Sequence, residues 1–538
     1  MPNRAVFETR RKVNAKAATG KTSEGRPAYT LHAEQALAEL ACVGTFQNTY
    51  YNDAGSQLKT LLALAAEVSD EYLAKVAIYS RIKGYMKDMP AALMAVLSTR
   101  NPNMFRRVFN RVIDNPRMIR GFVQIMRSGA VGRKSLGSAP KKMVQAAIQN
   151  SKDFVLLNGS VGKNPSLADV VKMVHPYPCG NSTMTANQMK HAFAWLVGKP
   201  FQTRYLPNAF KYYENFKSRP DTLEVPRCDF RLIDGLDTMT DEHWRQLGYG
   251  MTWTQAKMSL NTLLRHGALE DTALVDHLAK LLVDPEKIKS SRQFPYSMMT
   301  GYNYLDPNVP AKLKNALQKA LELSIANVPQ LPGRVLVAVD ISGSMGGLVS
   351  DKGATRCWDV AGLFAAAVLR KNPDAKITAF SETLFHRDGL NSMDSIATIT
   401  KGIIGTGFHG CTQWDAPINW ALHNKEHFDA IIWISDMEAN MDANSSRRTG
   451  WINDGCYVDD ATSAGRLLTQ YRKNVNPNCK AITMNVVANA GHAQLDGEKD
   501  PNLLQISGFS DHVFDVIASF MEAKEPGHWV KIINDIAL

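Results

Sequence analysis

No run of about 18 consecutive apolar residues occurs in the 538-residue chain, so no segment is suited to crossing a bilayer as a helix. The opening MPNRAVFETRRKVNAKAATGK has no apolar core between its charges, which argues against a secretory leader. Glu8 and the missing amphipathic pattern argue against a transit peptide as well. Cysteine is scarce and scattered: Cys42, Cys179, Cys228, Cys357, Cys411, Cys456 and Cys479 are odd in number and form no C-x-x-C pair. Neither a disulfide framework nor a zinc site is therefore expected, and a reducing cytoplasm is the expected location. What is present is ordinary for a globular protein, 45% hydrophobic and 21% charged, at a length that calls for more than one core.

Acidic residues are scarce in one half only. Residues 1–330 hold 44 Lys and Arg against 27 Asp and Glu, a net charge of +17. The remaining residues hold 18 basic and 24 acidic side chains, a net charge of −6. Within 101–150 the count is 10 basic to 1 acidic, and that one is Asp114. The first half suits a polyanion and the second does not.

Residues 1–26 are polar, basic and without periodicity, so a disordered arm is expected there. Over 27–330 the grammar is that of short helices in succession. LHAEQALAELA, SQLKTLLALAAEV and DEYLAKVAIYSRI follow one another, with Ser56 and Ser69 as N-caps and Pro90 at a helix start. Phe105, Val108, Phe109 and Val112 mark one apolar stripe, and Ile119, Phe122, Val123 and Met126 mark the next. Helices on short loops without strands predict HEAT-like pairs, although no strict repeat period is found. From 331 to 538 strand and helix alternate. RVLVAVD, AKITAF, AIIWIS and AITMNVV read as buried strands with helices between, and LLQISGFSDHVFDVIASFM as an edge strand and closing helix. The fold class is therefore α + α/β, a helical-repeat module followed by a doubly wound sheet.

Asp340-Ile-Ser342-Gly-Ser344 follows directly on the first of these strands, at the end where open α/β sheets place ligands. One carboxylate and two hydroxyls are hard oxygen donors that suit Mg²⁺, the expected divalent cation. Thr412 and Asp436 stand in the order and context that complete a metal-ion-dependent adhesion site, although Asp and Ser in that pattern also serve as an ordinary helix cap. No nucleophile elbow is present, because position 342 is serine where G-x-S-x-G needs glycine, and no P-loop is present either. An enzyme is not expected.

A helical module feeding such a domain resembles the Ro ribonucleoprotein family, which joins a TROVE module to a von Willebrand factor A domain. AELACVGTFQNTYY resembles the family's entry helix and its turn at Gly44, Thr49, Tyr50 and Tyr51. Trp253 with Asn261–Arg265 resembles the W…L-x-R-N-L segment with Asn and Arg in different order, and Ser291–Leu305 resembles the R-x-x-P-F helix. VGRKSLGSAPKK is similar to bacterial members. The resemblance implies a TROVE HEAT-repeat ring over 27–330 and a von Willebrand factor A-like domain over 331–538. It further implies single-stranded RNA 3′ ends in the ring, small Y RNA-like molecules on its outer face, and RNA quality control with an exoribonuclease such as polynucleotide phosphorylase.

Arg117, Arg120 and Arg127 lie on one helical face away from the apolar stripe, and Arg133, Lys134, Lys141 and Lys142 crowd the loop and helix that follow. Such a stripe neutralises successive phosphates without reading sequence. His175 falls where the family places a histidine in Y RNA contact, and Lys172 sits one turn earlier. Tyr205, Tyr212 and Tyr213 could stack bases, but core packing is the expected role of each. Two readings stay open: an RNA-binding scaffold, and a metal-dependent protein-interaction scaffold whose cation captures an acidic protein ligand.

Overall fold

The four apolar residues from Phe105 to Val112 form the buried face of a helix over Pro102–Val112, and each is sealed from solvent. Its start follows from local chemistry. The Asn101 side chain accepts from the Met104 amide, and Pro102 sits in the first turn, where no helical donor is lost. The next helix, Pro116–Ser128, repeats the device with Asn115 and Pro116 and ends at Gly129, whose φ of 86° suits glycine. Phe105, Phe109 and Phe122 interlock with ring centroids 5.3–5.7 Å apart. Truncating Phe122 to alanine is expected to cost about 3–5 kcal/mol in urea unfolding. A loss under about 1 kcal/mol would mean that this cluster does not hold the helices together.

The structure is a computed structural model, and it describes all residues except 1–17, 24, 48–52, 220–223, 234–235, 237–238, 327, 350–354, 406–409, 441–461, 488–490, 498–499 and 523–528. The chain forms two compact units. One joins the described part of Met1–Gln57 to Val328–Ile532; the other is Leu58–Asn327 with Ile533–Leu538. In the second unit the described residues run helix after helix with no strand, and Asp70–Ile82, Asp88–Arg100 and Pro102–Val112 pack on one another in turn. Ser69 caps Tyr72 as expected. Ser56 does not cap its helix, which begins at Ala54; Asp53 accepts from the Ser56 amide instead.

The described residues of the first unit form nine strands. They are β1 (Gly20–Lys21), β2 (Pro27–Thr30), β3 (Val335–Asp340), β4 (Lys376–Phe380), β5 (Leu384–His386), β6 (Ala430–Ser435), β7 (Lys480–Asn485), β8 (His492–Ala493) and β9 (Leu503–Ser507). Six of them form one sheet in the order β5-β4-β3-β6-β7-β9, parallel except for the short β5. β3 and β6 are buried along their whole length, which is why their sequences read as unbroken apolar runs. The α + α/β class stands, and β9 with the helix His512–Glu522 closes the sheet edge as read. No described helix is long and apolar enough to cross a membrane.

The boundaries at the N-terminus need correction. Residues 1–17 lie outside the described residues, but within the expected disordered arm Gly20–Lys21 pairs with Pro27–Ala28 as β1–β2. β2 then pairs with β8. The helix Ala33–Val43, read as the start of the helical module, packs with β9 in the sheet unit instead. Every residue from Ala36 to Val43 is buried, and a helix buried all round needs cover that one amphipathic face does not require. Its Glu39 lies inside that core and accepts from Asn485 at 2.7 Å.

Burial pushes the Glu39 carboxyl up to about 8, against hydrogen bonds from Ser507 and Asn485 that pull the other way. The folded protein therefore keeps a proton that the unfolded chain releases near the ordinary glutamate value. Stability falls as pH rises through that window, by as much as ~4 kcal/mol. Glu39→Gln is expected to flatten this dependence. Urea midpoints at about pH 5 and about pH 8.5 check it, and an unchanged pH slope in the variant would refute it.

Candidate metal centre and nucleic-acid interface

Parallel pairing of β3 with β6 sets Val339 beside Ile434, so the two strands end together and bring Asp340 next to Ser435 and Asp436. The loop after β3 folds back on itself. The Ser342 amide donates to Asp340 Oδ1 at 2.9 Å, and the Ser342 and Ser344 hydroxyls lie 3.3 Å apart. The Ser435 hydroxyl donates to Asp340 Oδ2 at 2.6 Å, and the Glu438 amide to Asp436 Oδ1 at 3.1 Å. The Gly343 amide donates to the Gly410 carbonyl, which draws the 410–412 loop to the same place. The Thr412 amide donates to Asn440 Oδ1 at 2.5 Å. All five expected ligands are buried; Asp340, Ser342, Ser344 and Asp436 meet at these strand ends, and Thr412 is tied to the chain after Asp436 through Asn440.

Two carboxylates in one dry site disfavour each other's charge. Burial raises Asp340 to about 6, against hydrogen bonds from Ser342 and Ser435. Asp436 is held well above the usual carboxylate range by burial first and by Asp340 second, while Ser344 supports its charged form. Among the described residues no group of three or more His, Cys, Asp and Glu is placed to hold a metal, so a cation here would have to rest on two carboxylates and three hydroxyls. Those donors are the hard oxygens that a small divalent cation takes, and its charge would cancel the repulsion between them. The donor set fits. Ser435, Glu438 and Asn440 are the supporting residues that motif reading missed; Ser435 was the most findable, directly before Asp436 at the strand end.

The basic residues expected to meet RNA are distributed over several places in the helical unit. Arg117 and Arg127 project to solvent from opposite ends of the Pro116–Ser128 helix, about 15 Å apart along its axis, and Arg120 is half-buried beside Gly162. Burial lowers the Arg120 guanidinium pKa, and repulsion from Arg117 and Arg231 adds to it. Lys87 is lowered by its protein surroundings first, then by Arg117 and Arg81, although its side chain reaches solvent. Asp88 and Asp114 relieve this crowding only in part, and Asp114 is also bonded to Arg81 at 2.8 Å and faces Arg292 at 3.5 Å. Lys87, just before the Asp88–Arg100 helix, reaches Arg117, and Arg231, held by Asp229 at 2.6 Å, reaches Arg120; both were missed in the sequence, where nothing local links them to this helix.

At the other end, Arg127 reaches the Met173 sulfur at 2.9 Å, and Arg127 and Lys172 both act on the Asp169 carboxylate. Lys134 and Lys142 are exposed and Lys141 is half-buried. Arg133 turns back to the Leu136 carbonyl at 2.9 Å and packs on Gly137, so it braces its own loop. His175 is exposed and caps the helix Leu167–Val174 in the left-handed conformation, with φ of 51°. Gln145 and Gln149, one turn apart on the Ser138–Asn150 helix, hold the 174–177 backbone by its carbonyls. That grip leaves the Tyr177 ring 75% exposed between Pro176 and Pro178, a feature the sequence reading passed over. The tyrosine expectations need correction too. Tyr213 is in the core, but Tyr212 is 65% exposed and Tyr205 is partly exposed, because both stand on the outer side of their turns.

Two of the segments that carried the family resemblance, Trp253 with Asn261–Arg265 and Ser291–Leu305, brace the helices around them. The Trp253 indole donates to the Leu282 carbonyl, and Asn261 bonds both Tyr304 and Asp306, which ties that motif to the end of the Pro295–Asn303 helix. Thr49, Tyr50 and Tyr51 lie outside the described residues.

A doubly wound parallel sheet with the Asp340-Ile-Ser342-Gly-Ser344 loop at the carboxyl end of a central strand defines a von Willebrand factor A-type domain. Residues 334–449 match the family model of the Ro60 vWA domain. The chain is 29% identical over 212 residues to the RNA-binding protein RO60 of Deinococcus radiodurans, covering 35% of this chain and 37% of that protein. It is 24% identical over 280 residues to the RNA-binding protein RO60 of Caenorhabditis elegans, covering 48% and 38%. The matched stretch thus spans little more than a third of either relative. The crystal structure of the Deinococcus radiodurans RO (RSR) protein superposes with a TM-score of 0.58 at 17% identity over 91% of this chain and 99% of that one, a likeness of fold. The resemblance to the Ro family stands on these likenesses.

Proposed function

We propose that this protein binds RNA through its helical unit, as a Ro-type ribonucleoprotein scaffold. The observation that carries the reading is the excess of cationic side chains around Arg117, Arg120 and Lys87, continued at Arg127 and Lys172, with Arg231 nearby but paired with Asp229. The helical unit holds 37 basic and 23 acidic residues, and the one acid of the 101–150 stretch is already engaged by Arg81. Relatives named as RNA-binding proteins support the same reading. The RNA classes we propose are small structured molecules of the Y RNA kind and single-stranded 3′ ends, handed to an exoribonuclease in RNA quality control. The role is binding rather than catalysis, in the cytoplasm.

Tyr177 gives this reading a local test. A rigid exposed ring beside His175 is a platform on which a base stacks, worth about 1–3 kcal/mol. Tyr177→Ala is expected to weaken binding of a single-stranded oligoribonucleotide about tenfold with an unchanged salt slope, while Tyr177→Phe retains affinity. Fluorescence anisotropy over a salt series checks this; equal affinity in the alanine variant removes Tyr177 from the interface.

The second reading concerns the sheet unit and is compatible with the first. Asp340, Ser342, Ser344, Thr412 and Asp436 would hold Mg²⁺, which supplies an open coordination position for a carboxylate of an acidic protein ligand. What favours it is that the ends of two neighbouring strands bring Asp340, Ser342, Ser344 and Asp436 together, with the Thr412 loop fastened beside them through Asn440.

A further inference from the structure

The β1–β2 hairpin does more than cover the sheet unit: it is bonded to the stretch of chain that follows Asp436. The Ser23 amide and hydroxyl both donate to the Glu438 carboxylate, each at 2.9 Å. Arg26 Nε donates to the Asn440 carbonyl at 3.1 Å. Glu438 is fully buried, and its other neighbour is His492 Nε2 at 3.2 Å, on the strand that pairs with β2. These bonds join residues more than 400 positions apart in the chain.

The same three-residue stretch is fastened on its other side to the candidate cation ligands. The Glu438 amide holds Asp436 Oδ1. The Asn440 side chain accepts from the Thr412 amide, and the Asn440 amide returns a bond to the Thr412 carbonyl at 3.2 Å. Asp436 and Thr412 come from different loops, and residues 438–440 are their shared support. What fixes 438–440 therefore fixes the separation of two of the five ligands.

We propose that the β1–β2 hairpin is a strap that sets the cation affinity of the Asp340–Asp436 site, with Ser23 and Arg26 as positioning residues acting through Glu438 and Asn440. The proposal rests on the reading of that site as a divalent-cation site. Coupling of this kind is reciprocal: a strap that tightens cation binding is itself tightened by the cation, and a partner that lifts residues 20–30 releases it.

The test uses the full chain and Mg²⁺ or Mn²⁺ alone as probe. Calorimetric titration is expected to show about tenfold weaker binding in Ser23→Ala/Arg26→Ala, roughly 1.4 kcal/mol. Hydrogen exchange supplies the reciprocal readout: the amides of Ser23, Arg26 and Leu31 are expected to slow on adding the cation to the wild type, and not to respond in Asp340→Ala. A hairpin that only covers the core predicts unchanged cation affinity in the double variant and exchange indifferent to the cation, and either result overturns the proposal. A wild type that binds neither cation overturns the site reading and the strap with it. Cation binding retained in full by the double variant overturns the strap alone.

Discussion

Asp436→Asn is expected to abolish the thermal stabilisation that Mg²⁺ would confer at the proposed site and at the same time to raise the melting temperature of the metal-free protein. The two effects have opposite signs because one carboxylate has two roles. Without a cation, Asp340 and Asp436 are buried side by side and each resists the other's charge. The amide removes that repulsion while keeping the shape. With a cation, both carboxylates are needed. Saturation at 100 times the dissociation constant would stabilise the wild type by about 2.7 kcal/mol, which is on the order of 5–10 °C for a unit of about 260 residues. The scan is read on the transition of the sheet unit with Mg²⁺ and with chelator. A metal shift that survives in Asp436→Asn would remove this residue from the site.

The second large effect is on RNA affinity. About six phosphate contacts on a single strand give a slope of about −4 in log affinity against log salt, a loss of 10²–10³-fold between about 50 and about 200 mM. Arg120→Ala/Arg127→Ala removes two such contacts and is expected to reduce that slope by about 1.4. Arg133→Ala is expected to leave the slope alone, since that guanidinium is turned to the Leu136 carbonyl. A double variant with the wild-type slope would show that the stripe does not meet phosphate.

What could be read from the sequence was what is local. Asp340, Ser342 and Ser344 are consecutive partners at the end of an apolar run, and their loop geometry is set by bonds spanning two residues. Thr412 and Asp436 were reachable because each follows a recognisable strand or loop in the order that a doubly wound sheet dictates. The helical half was legible for the same reason: the Phe105 and Phe122 stripes declare their buried faces before any partner is known.

The rest depends on contacts between distant residues. Periodicity says which face of Ala33–Val43 is apolar but not which core receives it, so that helix was assigned to the wrong unit. Ser23 and Arg26 read as charged and polar residues of an arm, and only the fold brings them to Glu438 and Asn440. Lys87 and Arg231 are unremarkable in their own segments, and only the fold brings Lys87 to Arg117 and Arg231 to Arg120. Tyr177 needed the two glutamines of another helix to be held outward.

The most direct test of the account is equilibrium binding of the purified protein to a structured RNA bearing a single-stranded 3′ tail, compared with its blunt counterpart across a salt series, with Arg120→Ala/Arg127→Ala alongside. The account predicts tighter binding of the tailed RNA, an affinity that falls steeply with salt, and a weaker, flatter response in the double variant. Binding indifferent to tail, salt and both arginines, or no binding at all, would contradict it.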